Sequence, residues 1–231
     1  MVSQLGSQGR IEAKLHRIYL TRFSPDVRRD KVRTWKIICD DFLSPYVPLR
    51  GTVLDLGAGY CELINQISAR RRIAIDLNPD TVVMAAPGVE VLSIPLEQIS
   101  EAIEPESVDL AFASNVFEHL RGPDALLEVL EAIHQTLKPG GRLIVMQPNV
   151  AALAGRFWDF VDHTLPLTEK GMAEALEVSR FEIVECRARF LPYTFKSRLP
   201  SWPWLVRLYL ALPPAQWFFG KQMFLVARRP E

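Results

Sequence analysis

The chain has 231 residues, 48% of them hydrophobic, with 27 basic and 27 acidic side chains, a length that suits one well-buried α/β domain and is short for two. Its three cysteines (Cys39, Cys61, Cys186) are far apart, odd in number and without CxxC spacing, so neither a disulfide framework nor a zinc site is suggested and a reducing cytoplasm fits. The most apolar stretch, residues 205–219, is broken by Arg207 and by Pro213-Pro214 and falls short of a spanning helix; the N-terminus lacks the basic-then-apolar pattern of a signal peptide.

Charge is unevenly spread. Residues 1–50 carry 10 basic against 5 acidic side chains, 51–100 carry 3 against 6, 101–185 carry 6 against 15, and 186–231 carry 8 against 1. Basic ends flank an acidic middle that favours a cation.

In chain order, residues 11–47 read as helical, with Val32, Trp35, Ile38, Cys39 and Phe42 on one face, and Pro45 and Pro48 end the helix. A strand at 52–56 leads through a glycine turn to a helix at 60–68, a strand at 72–76, a short helix after Pro79 and a strand at 89–92. A strand at 108–113, a helix at 124–137 and a strand at 141–147 follow, with "LKPGG" as helix stop and turn. Thr168 is the expected N-cap of the next helix, before a strand from Phe181 and a last strand at 223–227. This alternation predicts a mostly parallel sheet with helices on both faces and a ligand site at the strand carboxyl ends. It divides the chain into an N-terminal helical cap (1–50), a core (51–188), an insertion (189–220) and a final core strand (221–231).

The stretch "TVLDLGAGYCELINQI" decides which ligand the glycine turn favours. A dinucleotide fingerprint needs G-x-G-x-x-G, but Gly57 and Gly59 are followed by Glu62 in the sixth place, where a carboxylate repels a pyrophosphate. An NAD-dependent dehydrogenase is therefore disfavoured. Asp55 stands two residues before the first glycine, and Asp76, 21 residues on, is placed to accept hydrogen bonds from ribose hydroxyls. An adenosine with a positively charged amino-acid tail meets these demands, and S-adenosylmethionine is such a ligand.

Together with "IAIDLNPD", "SVDLAFASNVFEHL" and "LKPGGRLIVMQPN", this stretch resembles the class I S-adenosylmethionine-dependent methyltransferases, in particular the small-molecule branch that includes quinone-biosynthesis methyltransferases. The resemblance implies a Rossmann-like seven-stranded sheet with an N-terminal helical lid and an aromatic-rich insertion before the last strand. It puts Asp55, Gly57, Ala58 and Gly59 at the methionine end of the cofactor, Asp76 on the ribose, Leu77 beside the adenine, and Ser114 and Asn115 near the delivered methyl group. Cys61 stands where the family often has a third glycine, and Leu96 and Glu97 are nearest to its usual adenine-binding aspartate.

Methyl transfer from a sulfonium relies mainly on alignment, and a base is needed only where the acceptor must lose a proton. His163 and His119 are the candidate bases; the alternative for His119 is a structural hydrogen bond near a helix start. Asp159, Asp162 and His163 have a spacing that could gather a metal on one helical face, but the aspartates read as a solvated face and no metal site is expected. Tyr19, Arg22 and Phe23 are candidates for a lid.

The insertion holds Trp202, Trp204 and Trp217 with Tyr193, Phe195, Phe218 and Phe219, interleaved with Lys196, Arg198, Arg207 and Lys221. This suits a lipid-linked or small-molecule acceptor and peripheral membrane contact, the alternative being aromatic packing of a C-terminal subdomain. Nucleic acid is not expected as a partner, because "SNVFEH" stands where base-amine methyltransferases carry an Asp/Asn-Pro-Pro-aromatic loop. An RNA or protein methyltransferase and a non-catalytic cofactor-binding module are the alternative functions.

Overall fold

Seven strands account for the apolar runs in the computed structural model, which describes residues 2–193 and 202–231. They are β1 (Thr52–Leu56), β2 (Arg71–Ile75), β3 (Val89–Leu92), β4 (Val108–Ser114), β5 (Leu137–Pro148), β6 (Glu182–Arg187) and β7 (Gln222–Arg228). One sheet has the order β3-β2-β1-β4-β5-β7-β6, and only β7 runs antiparallel to its neighbours. Its central strands are covered on both faces, so Val53, Leu54, Leu56, Ile73, Ile75, Leu110 and Phe112 are all fully buried; that is why these strands read as continuous apolar runs rather than alternating ones. The strand order reverses between β1 and β4, which opens a crevice at their carboxyl ends.

One face of the sheet is packed by α4 (Ile99–Ala102), α5 (Pro123–Thr136) and α6 (Glu169–Val178). Leu126, Val129, Leu130 and Ile133 line the inner face of α5 at helical spacing, and Pro123 sits in its first turn, where a missing N–H costs nothing. Thr168 caps α6 as expected, its hydroxyl accepting the Gly171 N–H at 3.1 Å. The other face is packed by α2 (Pro25–Ile38) and residues 39–43.

Three local expectations are corrected. The helix expected over 11–47 is divided into α1 (Val2–Arg22) and α2, because Pro25 lacks an N–H and holds Ser24 extended at ψ 160°. Trp35, Ile38 and Cys39 are buried as predicted, whereas Val32 is 45% exposed. The helix expected at 60–68 is a turn followed by a 3-10 turn, Ile64–Gln66; Asn65 there is diverted into bonds with the Met84 carbonyl and the Ala86 N–H. "LKPGG" is the bulged start of β5 rather than a free turn: Leu137 pairs with Val108 and Arg142 with Leu110, and Lys138 holds Asp109 at 2.7 Å.

After β6 the chain forms α7 (Pro203–Ala211) and α8 (Pro213–Phe219) before β7. β6 runs parallel to β5, and Gln222 pairs with Pro148 at the end of β5, so the insertion leaves and rejoins the sheet at its carboxyl edge. Tyr209 and Leu210 pack on the core, and Arg207 pairs with Asp41 at 2.9 Å. Phe195, Lys196 and Arg198 lie outside the described residues. Among the described residues no helix is long and apolar enough to cross a membrane.

Candidate functional site

The glycine turn after β1 is set by its backbone. Gly57 and Gly59 have φ of +66° and +55°, and the Gly57 and Ala58 N–H groups both donate to the Ile75 carbonyl. A Cβ on Gly57 would lie 2.5 Å from Val116 Cγ2, and one on Gly59 would lie 2.8 Å from the Tyr19 hydroxyl. Cys61 is also left-handed (φ +59°), a conformation that glycine would adopt without strain. Its thiol is buried, and burial pushes it up to about 12.

Asp76, just past β2, ties this turn to the next. Its carboxylate accepts the Gly59 N–H at 2.6 Å and the Asn78 N–H at 2.7 Å. Asn78 in turn accepts the Asp80 N–H ahead of α3 (Asp80–Met84), so Asp76 orders the turn rather than capping the helix directly. Burial raises Asp76 against these hydrogen bonds. Leu77 is half-buried beside it; Leu96 packs against the core and Glu97 is exposed.

Asp55, at the bottom of the crevice, is 2% exposed, and its Oδ2 has no hydrogen-bond partner. Burial, then the nearby charges of Asp76 and Glu62, push its carboxyl up to about 8. Glu62 sits in a turn and not in the helix expected there, and pairs with Lys31 of α2 at 2.9 Å. The crevice therefore gathers three carboxyl groups, of which Asp55 is held largely protonated and Glu62 is paired with Lys31, and a cation placed there would favour the ionised form of Asp55.

The end of β4 supplies the other wall. Asn115 is left-handed (φ +54°), a conformation asparagine tolerates, and its amide donates to the Ser114 hydroxyl. Beyond it, Glu118 is 1% exposed in an otherwise apolar turn. Its backbone carbonyl receives the N–H groups of Thr164 and Leu165, which draws His163 inward. His163 is 7% exposed among Phe157 and Phe160, and burial lowers it to about 4. His119 Nδ1 lies 2.9 Å from the Asp162 carbonyl, and the two imidazoles are 5.0 Å apart. The structure thus brings both candidate histidines together at one strand end. Glu118 escaped the sequence reading although "FEHL" displays it, because nothing in that run marks it as buried.

The helical face expected to hold Asp159, Asp162 and His163 does not form. Asp159 ends a 3-10 turn and faces Arg156 at the surface. Asp162 is not solvated either, and Arg22 of α1 holds it at 2.5 Å. With Tyr19 packed 5.1 Å from Tyr60, and His16 3.0 Å from Asp80, α1 lies across the glycine turn.

A family model described as a methyltransferase domain matches residues 54–145, which span β1 to β5. No curated protein matches the chain. Among solved structures, an Archaeoglobus fulgidus S-adenosylmethionine-dependent methyltransferase is 19% identical with a TM-score of 0.63, over 84% of this chain and 92% of that one. A Haloferax volcanii structure described as a complex between the Trm112 methyltransferase activator and a methyltransferase aligns at 17% identity and TM-score 0.63, over 89% and 94%. A Burkholderia thailandensis 1,6-didemethyltoxoflavin-N1-methyltransferase, with bound 1,6-didemethyltoxoflavin and S-adenosylhomocysteine, aligns at 21% identity and TM-score 0.52, over 87% and 79%.

The chain has the Rossmann-like fold of the methyltransferases it resembles, and residues 54–145 match a methyltransferase domain.

Proposed function

We propose that the chain is an S-adenosylmethionine-dependent methyltransferase whose cofactor lies in the crevice between β1 and β4, with its amino-acid end at Asp55, Gly57, Ala58 and Gly59, its ribose on Asp76 and its adenine beside Leu77. The observation that carries this reading is the unpartnered, buried Oδ2 of Asp55 among like charges, which an ammonium group would satisfy. Asp76 supports it, because two backbone N–H groups use only part of its accepting capacity and leave room for ribose hydroxyls. Bound there, S-adenosylmethionine supplies an activated methyl group on a sulfonium.

The residues of this chain then act mainly by positioning. Ser114 and Asn115 border the place where the acceptor atom must stand in line, and an acceptor that sheds a proton meets Glu118, His119 and His163 at the same strand end. His163 is the less suited to take it, because burial holds it down at about 4. Titration with S-adenosylhomocysteine on wild type and on Asp55→Asn tests the assignment; equal affinity would remove Asp55 from the site.

The acceptor we infer is a small, amphiphilic or lipid-like molecule. Supporting it are exposed apolar side chains of the insertion, Trp202, Trp204, Leu208, Leu212, Trp217, Phe218 and Phe219, each at least 44% exposed, with Trp202 against Trp204 and Trp217 against Phe218. So many large apolar groups exposed in one short segment exceed what singly scattered surface residues explain. Arg189 lies over Trp217, 5.8 Å from its ring centroid, the aromatic-with-basic pairing that suits a headgroup boundary. The Burkholderia neighbour, with its bound 1,6-didemethyltoxoflavin, is a precedent on this fold for a small-molecule acceptor. Labelled methyl transfer into a lipid extract, against a water-soluble extract and RNA, distinguishes the acceptor classes.

A further inference from the structure

Beyond the end of β4, Glu118, His119 and His163 each offer one ligand atom, and the three atoms lie within 4.8 Å of one another. Glu118 Oε2 and His163 Nδ1 are both buried and both without a hydrogen-bond partner. The two residues are 1% and 7% exposed, so bulk water does not reach them. Native structures rarely leave such buried atoms unpaired, and an ionised carboxylate oxygen and an unprotonated imidazole nitrogen each offer a lone pair to an electrophile.

His119 completes the set. The Asp162 carbonyl beside its Nδ1 can only accept, so Nδ1 carries the proton and Nε2 keeps its lone pair. A ring nitrogen fixed by a backbone carbonyl while the other stays free is the arrangement that orients metal-ligating histidines. Phe157 and Phe160 flank His163 and wall the cluster from solvent on that side, while His119, 32% exposed, leaves a way in. Arg22 nearby is neutralised by Asp162 at 2.5 Å, and the other Asp162 oxygen lies 3.5 Å from His119 Nδ1.

We propose that Glu118, His119 and His163 form a binding site for a first-row divalent transition-metal ion. Two imidazoles and one carboxylate suit zinc, cobalt or iron and not magnesium or calcium, which take sets made up of oxygens. Three protein ligands leave coordination positions open for water or an acceptor oxygen. The inference rests on this side-chain geometry and goes beyond the cofactor assignment, so either can fail without the other.

The test is titration of tag-free, chelator-treated full-length protein with Co²⁺, followed by its ligand-field absorption in the visible. Wild type is expected to bind one equivalent, displaced by Zn²⁺. Glu118→Gln, His119→Ala and His163→Ala are each expected to weaken binding by about tenfold to a hundredfold. A Cys39→Ser, Cys61→Ser, Cys186→Ser triple variant is expected to keep the signal, which separates this site from thiol binding. Far-ultraviolet circular dichroism of the metal-free variants checks folding; should the two buried positions not tolerate change, half-exposed His119→Ala decides alone. No saturable cobalt signal in wild type, or equal affinity in His119→Ala, overturns the proposal.

Discussion

Arg22 in α1 and Asp162 in the loop after β5 are joined at 2.5 Å across 140 residues of sequence, and both side chains are less than a fifth exposed. The pair fastens the N-terminal helix over the crevice. Burial pushes Asp162 up, but the hydrogen bond from Arg22 and the nearby His119 bring it below the ordinary carboxylate range. A depressed folded value gives stability that is present above the unfolded value, near 3.9, and is lost as pH falls through the folded one. Arg22→Ala is therefore expected to cost about 3 kcal/mol in urea unfolding at neutral pH, and to lose part of the acid-limb slope. An unchanged urea midpoint would mean that α1 is not held by this pair.

Gly57→Ala is expected to destabilise by about 3 kcal/mol, from left-handed backbone strain and from overpacking against Val116. Adding Val116→Ala removes only the second component. A partial recovery of the melting temperature in the double variant, relative to Gly57→Ala alone, checks the contact.

How much of this was legible in the sequence divides along physical lines. The parallel strands declare themselves by unbroken apolar runs, and Thr168 caps α6 through a local bond that needs no tertiary partner. Asp55, Gly57, Gly59 and Asp76 were legible as a constellation because short spacing in a βα turn fixes their proximity. The missing helix at 60–68 was not, because Asn65 is captured by Met84 at the end of α3 and by Ala86 just beyond it, partners that no local pattern announces. Glu118 and His163 were not legible as neighbours, since their meeting depends on the Thr164 and Leu165 N–H groups reaching back 46 and 47 positions.

Asp55 yields a pH prediction of the opposite sign to Asp162. Its folded value, about 8, lies above the unfolded one, so its contribution is stability present below pH 4 that is lost as pH rises toward 8. Asp55→Asn is expected to flatten that decline in thermal melts. A cationic ligand favours the ionised carboxylate, so cofactor binding at pH 7 is expected to release close to one proton. Calorimetry in buffers of different ionisation enthalpy measures this; no proton release would show that Asp55 does not meet the ligand's charge.

Trp204 and Trp217 are 59% and 63% exposed, so replacing both with Ala is expected to change folding stability by less than about 0.5 kcal/mol. The same variant is expected to lose most of the protein's sedimentation with vesicles containing anionic lipid. Equal sedimentation of the two proteins, or none by wild type, would leave the aromatic face without a lipid role.

The central claim, that an adenosine ligand is held through Asp76, is tested most directly by calorimetric titration of S-adenosylhomocysteine into wild type, Asp76→Asn and Asp76→Ala, with melting temperatures measured alongside. Two ribose hydrogen bonds to a charged acceptor contribute about 3 kcal/mol, so the alanine variant is expected to bind about 100-fold more weakly and the asparagine variant at least about tenfold. Folded variants that bind as tightly as wild type would contradict the account.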